Sequence, residues 1–150
     1  MKPPQEFKII SLRECSVSSL TLDTPQQATE YWNTNMISAP WFDPCKEALV
    51  VLVLNTRRRI LGHNLVALGG LDSVTIHSRE VFRPVIALAG HCAILMHNHP
   101  SLDSTPSEAD IRITRELIRA GQLLRIALID HIIVGEKTTS LRELGVFAGF

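Results

Sequence analysis

Two histidines separated by one residue, His97-Asn98-His99, are followed by Pro100 and Ser101 and then by Ser107 and Asp110. On an extended backbone side chains alternate at period 2, so His97 and His99 project the same way and both imidazoles reach one ion. Asp110 adds a carboxylate. Two imidazoles and one carboxylate are three protein ligands of a catalytic zinc, with the fourth position left to water. Ser107 and Asp110 also fit a capping-box-like helix start, in which a serine N-cap and an acid three residues on satisfy free amides. At this level both readings of Asp110 stand.

Such ligands need elements to hold them. Ahead of the pair, Ala93-Ile94-Leu95-Met96 reads as a buried strand, and the segment His91–His97 as the central strand of a sheet. Behind it, Pro100, Ser101, Asp103, Ser104, Thr105 and Pro106 compose a loop. A helix then runs from Ser107 to Leu124, with Ile111, Thr114 or Arg115, Ile118 and Leu123 in helical rhythm and Arg112, Arg115, Glu116 and Arg119 outward. Glu47–Leu54 is almost continuously apolar and valine-rich, the mark of a strand covered on both faces. Asn55–Arg59 turns it and Ile60–Leu68 returns as its neighbour. Ser78 is placed as the cap of a helix over Arg79–Ala89, with Val81, Val85 and Leu88 inward. Pro84 should bend or shorten this helix, and Gly90 should stop it. Ile126–Val134 is the last long strand, and Glu136–Phe150 a hairpin or short helix covering the edge. Residues 1–45 read as an N-terminal extension: a strand at Phe7–Leu12, then a helix from Pro25 to Met36. Thr24 is its N-cap, Pro25 its first residue, and Ala28, Trp32 and Met36 its inward stripe. The main domain is 46–150, an α/β sandwich with a mixed sheet flanked by helices.

Length and composition bound the function. The chain has 150 residues, a single domain's worth, and its 15 basic and 15 acidic side chains cancel. Zero net charge supplies no bulk attraction to nucleic acid or an anionic membrane, and the Arg57-Arg58-Arg59 triplet reads as a solvated hairpin turn. Cys15, Cys45 and Cys92 are odd in number and widely spaced, as reduced thiols are in a cytoplasmic protein. No signal-peptide pattern opens the sequence, and no apolar run reaches membrane-spanning length. His63, His77 and His91 are expected to be structural or exposed.

The ordered set of an upstream glutamate, H-x-H-P and S-x-x-D resembles the JAMM (MPN+) metalloprotease motif. Three passages sharpen the likeness to RadC-type JAB domains: His97-Asn98-His99-Pro100-Ser101 with Thr105-Pro106-Ser107, Ile76–Phe82, and Asp130-His131-Ile132-Ile133-Val134-Gly135. The resemblance spans roughly Cys45 to Gly135. It implies a cytidine-deaminase-like α/β fold and a zinc-dependent peptidase or isopeptidase holding one Zn²⁺ per chain. By the same resemblance His97, His99 and Asp110 are the metal ligands, Glu47 is the general base and Ser107 holds the oxyanion. Glu80 is the rival base, disfavoured because it lies within a helix beside Arg79. His131 is either a residue behind the ligands or a satisfied core histidine. The alternative functions are a catalytically silent binding module and a DNA-repair-associated accessory protein of the RadC type. A nucleic-acid partner is not favoured, because no helix-hairpin-helix module is recognisable in residues 1–45. Zinc deamination is disfavoured too, since no H-x-E with P-C-x-x-C is present. One departure stands out: the family usually has glycine where this chain has Leu102, at a point where glycine would permit positive φ or close substrate approach.

Overall fold

The computed structural model describes Met1 and residues 20–70 and 75–150. The strand expected at Phe7–Leu12 and Cys15 lie outside the described residues. Thr24 opens α1 (Pro25–Tyr31) with a full capping box: its Oγ1 accepts from the Gln27 amide at 3.2 Å, and Gln27 Oε1 accepts from the Thr24 amide at 3.1 Å. The expected helix does reach Met36, but its last stretch, Trp32–Met36, widens to π-helical geometry.

The sheet strands are β1 (Ala48–Leu54), β2 (Ile60–Leu68), β3 (Cys92–Asn98), β4 (Ala127–Val134) and β5 (Thr138–Ser140). Their order across the sheet is β2-β1-β3-β4-β5. Among the neighbouring pairs of described strands only β3 and β4 are parallel, and they are joined by the long helix α3 (Glu108–Leu124). The architecture is the mixed α/β sheet expected, and β5 resolves the tail as a hairpin against β4. Asn55 Oδ1 accepts the amides of Arg57 and Arg59, which makes the arginine triplet the β1–β2 turn.

Every residue of β1 and of β3 is buried, because both faces of the sheet are covered. Ala48, Val50, Leu52 and Leu54 pack with Cys92, Ile94 and Met96 against Ala28, Trp32 and Met36. Leu49, Val51 and Val53 pack with Ala93 and Leu95 against α3 and α2 (Ser78–Ala87). Continuous apolar strands follow from that arrangement, since neither face is left to water.

Three local expectations are corrected. His77, not Ser78, stands at the N-cap of α2, without a side-chain capping bond, and Ser78 is its first helical residue. The helix ends at Ala87, and Ala89 takes the left-handed turn at φ 51°. Gly90 is required by packing instead: a Cβ there would sit 2.3 Å from Val53 Cγ1. On α3, Leu123 is 88% exposed. The buried face is Asp110, Ile113, Thr114, Leu117, Ile118 and Gly121, so the stripe passes through the glycine and leaves Leu123 outside. Among the described residues, no helix is long and apolar enough to cross a membrane.

Candidate metal centre

Antiparallel pairing of β1 with β3 puts Leu49 opposite His97, so the start of one strand meets the end of the other. Glu47 lies two residues before Leu49 and therefore shares its face, the face toward α3. His99 continues past the end of β3, where its amide donates to the Val134 carbonyl at 3.0 Å. The loop after it returns the chain as α3, whose N-cap is Ser107. Its side chain accepts from the Asp110 amide at 3.1 Å, and Asp110 Oδ2 accepts from the Ser107 amide at 2.9 Å. The capping box exists, and it aims the carboxylate. Asp110 is both cap and candidate ligand.

Four side chains converge. His97 Nε2 and His99 Nε2 are 3.0 Å apart. Asp110 Oδ1 lies 3.3 Å from His97 Nε2, and Oδ2 lies 3.2 Å from His99 Nε2. Glu47 Oε1 is 3.4 Å from His97 Nε2 and 3.6 Å from His99 Nε2. One ligand atom from each of the four falls within 4.8 Å of the others, a group that can hold a metal ion. His97 and Asp110 are sealed from solvent, whereas Glu47 and His99 are partly open to it.

The chemistry of the set fits a cation. His99 Nδ1 lies 2.7 Å from the Asp103 carbonyl, which only accepts, so Nδ1 carries a proton and Nε2 is the nitrogen turned inward. That nitrogen faces two carboxylates, one at the positive end of α3's dipole. Burial works to raise the Asp110 carboxyl. The hydrogen bond and charge of His97, joined by the Ser107 amide, outweigh it and hold the group well below the usual carboxylate range. Converging acceptors with an ionised carboxylate among them call for a positive charge at the centre.

Behind the ligands, His97 Nδ1 is 2.7 Å from His131 Nε2, and His131 Nδ1 is 2.6 Å from Thr114 Oγ1. Complete burial lowers the His131 pKa well below the ordinary imidazole value. His131 thus stands directly behind His97, the first of its two expected places. Glu80 stands elsewhere, on α2, paired with Arg83 at 3.1 Å and Arg79 at 3.7 Å.

Asn98 and Thr114 escape the sequence reading. Asn98 Oδ1 accepts the Ala48 amide at 2.8 Å and its Nδ2 donates to the Lys46 carbonyl at 3.0 Å. It grips the backbone on both sides of Glu47. The period of 2 already sent it to the opposite face from the two histidines, but only the β1–β3 register reveals what it meets. Thr114 lies four residues after Asp110 on the same helical face, where the helical rhythm admits Thr114 or Arg115 as the inward residue. Leu102, the departure from the family pattern, has φ 67°, the conformation a glycine would take freely. Its carbonyl accepts the Glu136 amide at 2.8 Å, which ties the loop to the end of β4.

Comparison with known proteins gives the chain its family. The sequence model of the RadC-like JAB domain matches residues 22–146. The chain belongs to that family. A UPF0758 protein of Chlorobaculum parvum is 53% identical over 93 residues, covering 62% of this chain and 42% of the relative. One from Desulforudis audaxviator is 41% identical over 128 residues, covering 85% of this chain and 54% of the relative. A third, from Acidithiobacillus ferrooxidans, is 41% identical over 125 residues. The chain spans about half the length of these curated relatives, and the RadC-like JAB match takes in α1 as well as all five strands.

Proposed function

We propose that this RadC-like JAB domain is a zinc-dependent metallohydrolase that cleaves peptide or isopeptide bonds. The observation that carries the reading is the placement of the Glu47 carboxylate against the His97, His99 and Asp110 ligand atoms, all within 4.8 Å. A set with two imidazoles suits zinc better than magnesium or calcium, which take oxygen ligands. His97, His99 and Asp110 would hold the ion, one per chain, which when bound lowers the pKa of water to about 7 and polarises a carbonyl.

The rest falls to the side chains. Glu47, at the edge of the buried set, takes a proton from the attacking water and returns it to the leaving amine. Its neighbour Asn98 keeps that carboxylate's backbone fixed. Ser107 Oγ accepts the Asp110 amide and directs its own hydroxyl proton toward the substrate's developing oxyanion. An extended peptide reaches the centre from the side where Glu47 and His99 are partly open.

The test has two parts. Metal analysis of untagged protein is expected to find one zinc per chain in the wild type and a large loss in His99→Ala; equal zinc in both overturns the ligand set. On a peptide or isopeptide substrate found by screening, Glu47→Gln is expected to keep zinc and lose about 10²–10⁴-fold in rate, the usual weight of general acid–base catalysis. Glu80→Gln should turn over like the wild type. A dead Glu80→Gln beside an active Glu47→Gln would move the base to α2.

A further inference from the structure

We propose that Thr114 and His131 form a one-way hydrogen-bond chain that fixes the tautomer of His97 and thereby sets the affinity of the site for metal. The proposal rests on the metal-binding reading above and assigns two positioning residues to it.

The direction follows from counting protons. Thr114 Oγ1 lies 2.6 Å from the Asp110 carbonyl oxygen, which can only accept, and the threonine has one hydroxyl proton to give. With that proton committed, Thr114 Oγ1 can meet His131 Nδ1, 2.6 Å away, only as an acceptor. His131 therefore carries its proton on Nδ1 and leaves Nε2 bare. That bare nitrogen lies 2.7 Å from His97 Nδ1, so His97 donates through Nδ1 and leaves Nε2, which faces Glu47, His99 and Asp110, as the nitrogen available to a metal. Reversal of the chain would put a proton on His97 Nε2, the atom that must bind metal. Thr114, His131 and His97 are each buried to 0% exposure, so water is not at hand to repair a reversed link.

The arrangement also couples the two ligands. Thr114 anchors on the backbone of Asp110 itself, so the same helical turn that presents the carboxylate orients the imidazole opposite it. His99 reaches the same tautomer by a separate route, through the Asp103 carbonyl. Outer partners of this kind usually weigh 10–100-fold in metal affinity.

Two measurements test it. The ¹⁵N spectrum of histidine-labelled, metal-free wild type is expected to show His97 and His131 each protonated at Nδ1, with Nε2 of His131 bare. Zinc competition against a chelator is expected to show Thr114→Val weakened about 10–100-fold. Thr114→Ser, which restores the acceptor, should return to wild-type affinity. His131→Gln, whose side-chain oxygen replaces Nε2 as acceptor, should bind more tightly than His131→Leu. A wild-type His97 that lacks the proton on Nδ1 overturns the proposal without recourse to any variant. So does equal zinc affinity in wild type and a folded Thr114→Val. A wild type that binds no zinc overturns the metal reading itself, and that failure is seen in the wild type alone.

Discussion

Asp110 illustrates how one side chain satisfies two demands that a sequence presents as rivals. Its carboxylate closes the capping box of α3 with one oxygen and faces both histidines with the pair. S-x-x-D is a cap and a ligand motif at once because the N-terminus of a helix is where a carboxylate is already favoured. Leu102 shows the opposite case, a residue at odds with its backbone. At φ 67° an L side chain is strained by roughly 1–2 kcal/mol, while glycine would bring back some backbone entropy to lose. Leu102→Gly is therefore expected to raise stability by up to about 1 kcal/mol, read as a higher urea midpoint with an unchanged slope. A lower midpoint would mean that the exposed leucine makes contacts worth more than the strain. Of the two uses a glycine would have at this position, positive φ or close substrate approach, the backbone adopts the first.

At the scale of elements, periodicity carried most of the fold. β1 begins and ends within a residue of its expected bounds, because a buried strand has no polar face to blur its edges. β2, a largely unburied edge strand, keeps its bounds because the Asn55–Arg59 turn and Gly69 frame it. The site's polar clamp was beyond such reasoning: Asn98 gripping Lys46 and Ala48 depends on the register between two strands about fifty residues apart in the chain. The end of α3 departs from its hydropathy pattern for a related reason. Leucine at 123 outranks glycine at 121 on any hydropathy scale, yet the close approach of α3 to Phe82 and to the start of β4 admits no side chain. A Cβ on Gly121 would lie 2.3 Å from the Ile126 carbonyl oxygen and 3.2 Å from Phe82 Cζ. Gly121→Ala is thus expected to destabilise by about 1–3 kcal/mol despite alanine's higher helix propensity, the usual penalty of overpacking. Gly149→Ala has open space but φ 89°, and loses stability through backbone strain alone. Leu123→Ala should change stability little. A Gly121→Ala protein as stable as the wild type in urea would show that α3 can lift off β4 at no cost.

The whole molecule enters through the way the centre is assembled. Glu47 comes from the start of β1, His97 and His99 from the end of β3, and Asp110 from the first turn of α3. An unfolded chain cannot hold these atoms together, so a metal that binds them binds the native state and stabilises it by RT ln(1 + [L]/Kd). At a free zinc concentration a hundred times the dissociation constant that is about 2.7 kcal/mol. For a domain of this size each kcal/mol moves the thermal midpoint by roughly 2–4 °C. Zinc is therefore expected to raise Tm by about 5–11 °C over the chelator-treated protein, the product of those two estimates. The gain should vanish in His99→Ala and survive in Glu47→Gln, if the glutamate moves protons and the other three residues hold the ion. Magnesium at the same concentration should give little. Loss of the zinc-induced shift in Glu47→Gln, with folding intact, would make Glu47 a fourth ligand and leave the proton transfer to another group. An unshifted wild type would remove the metal from the fold's energetics altogether.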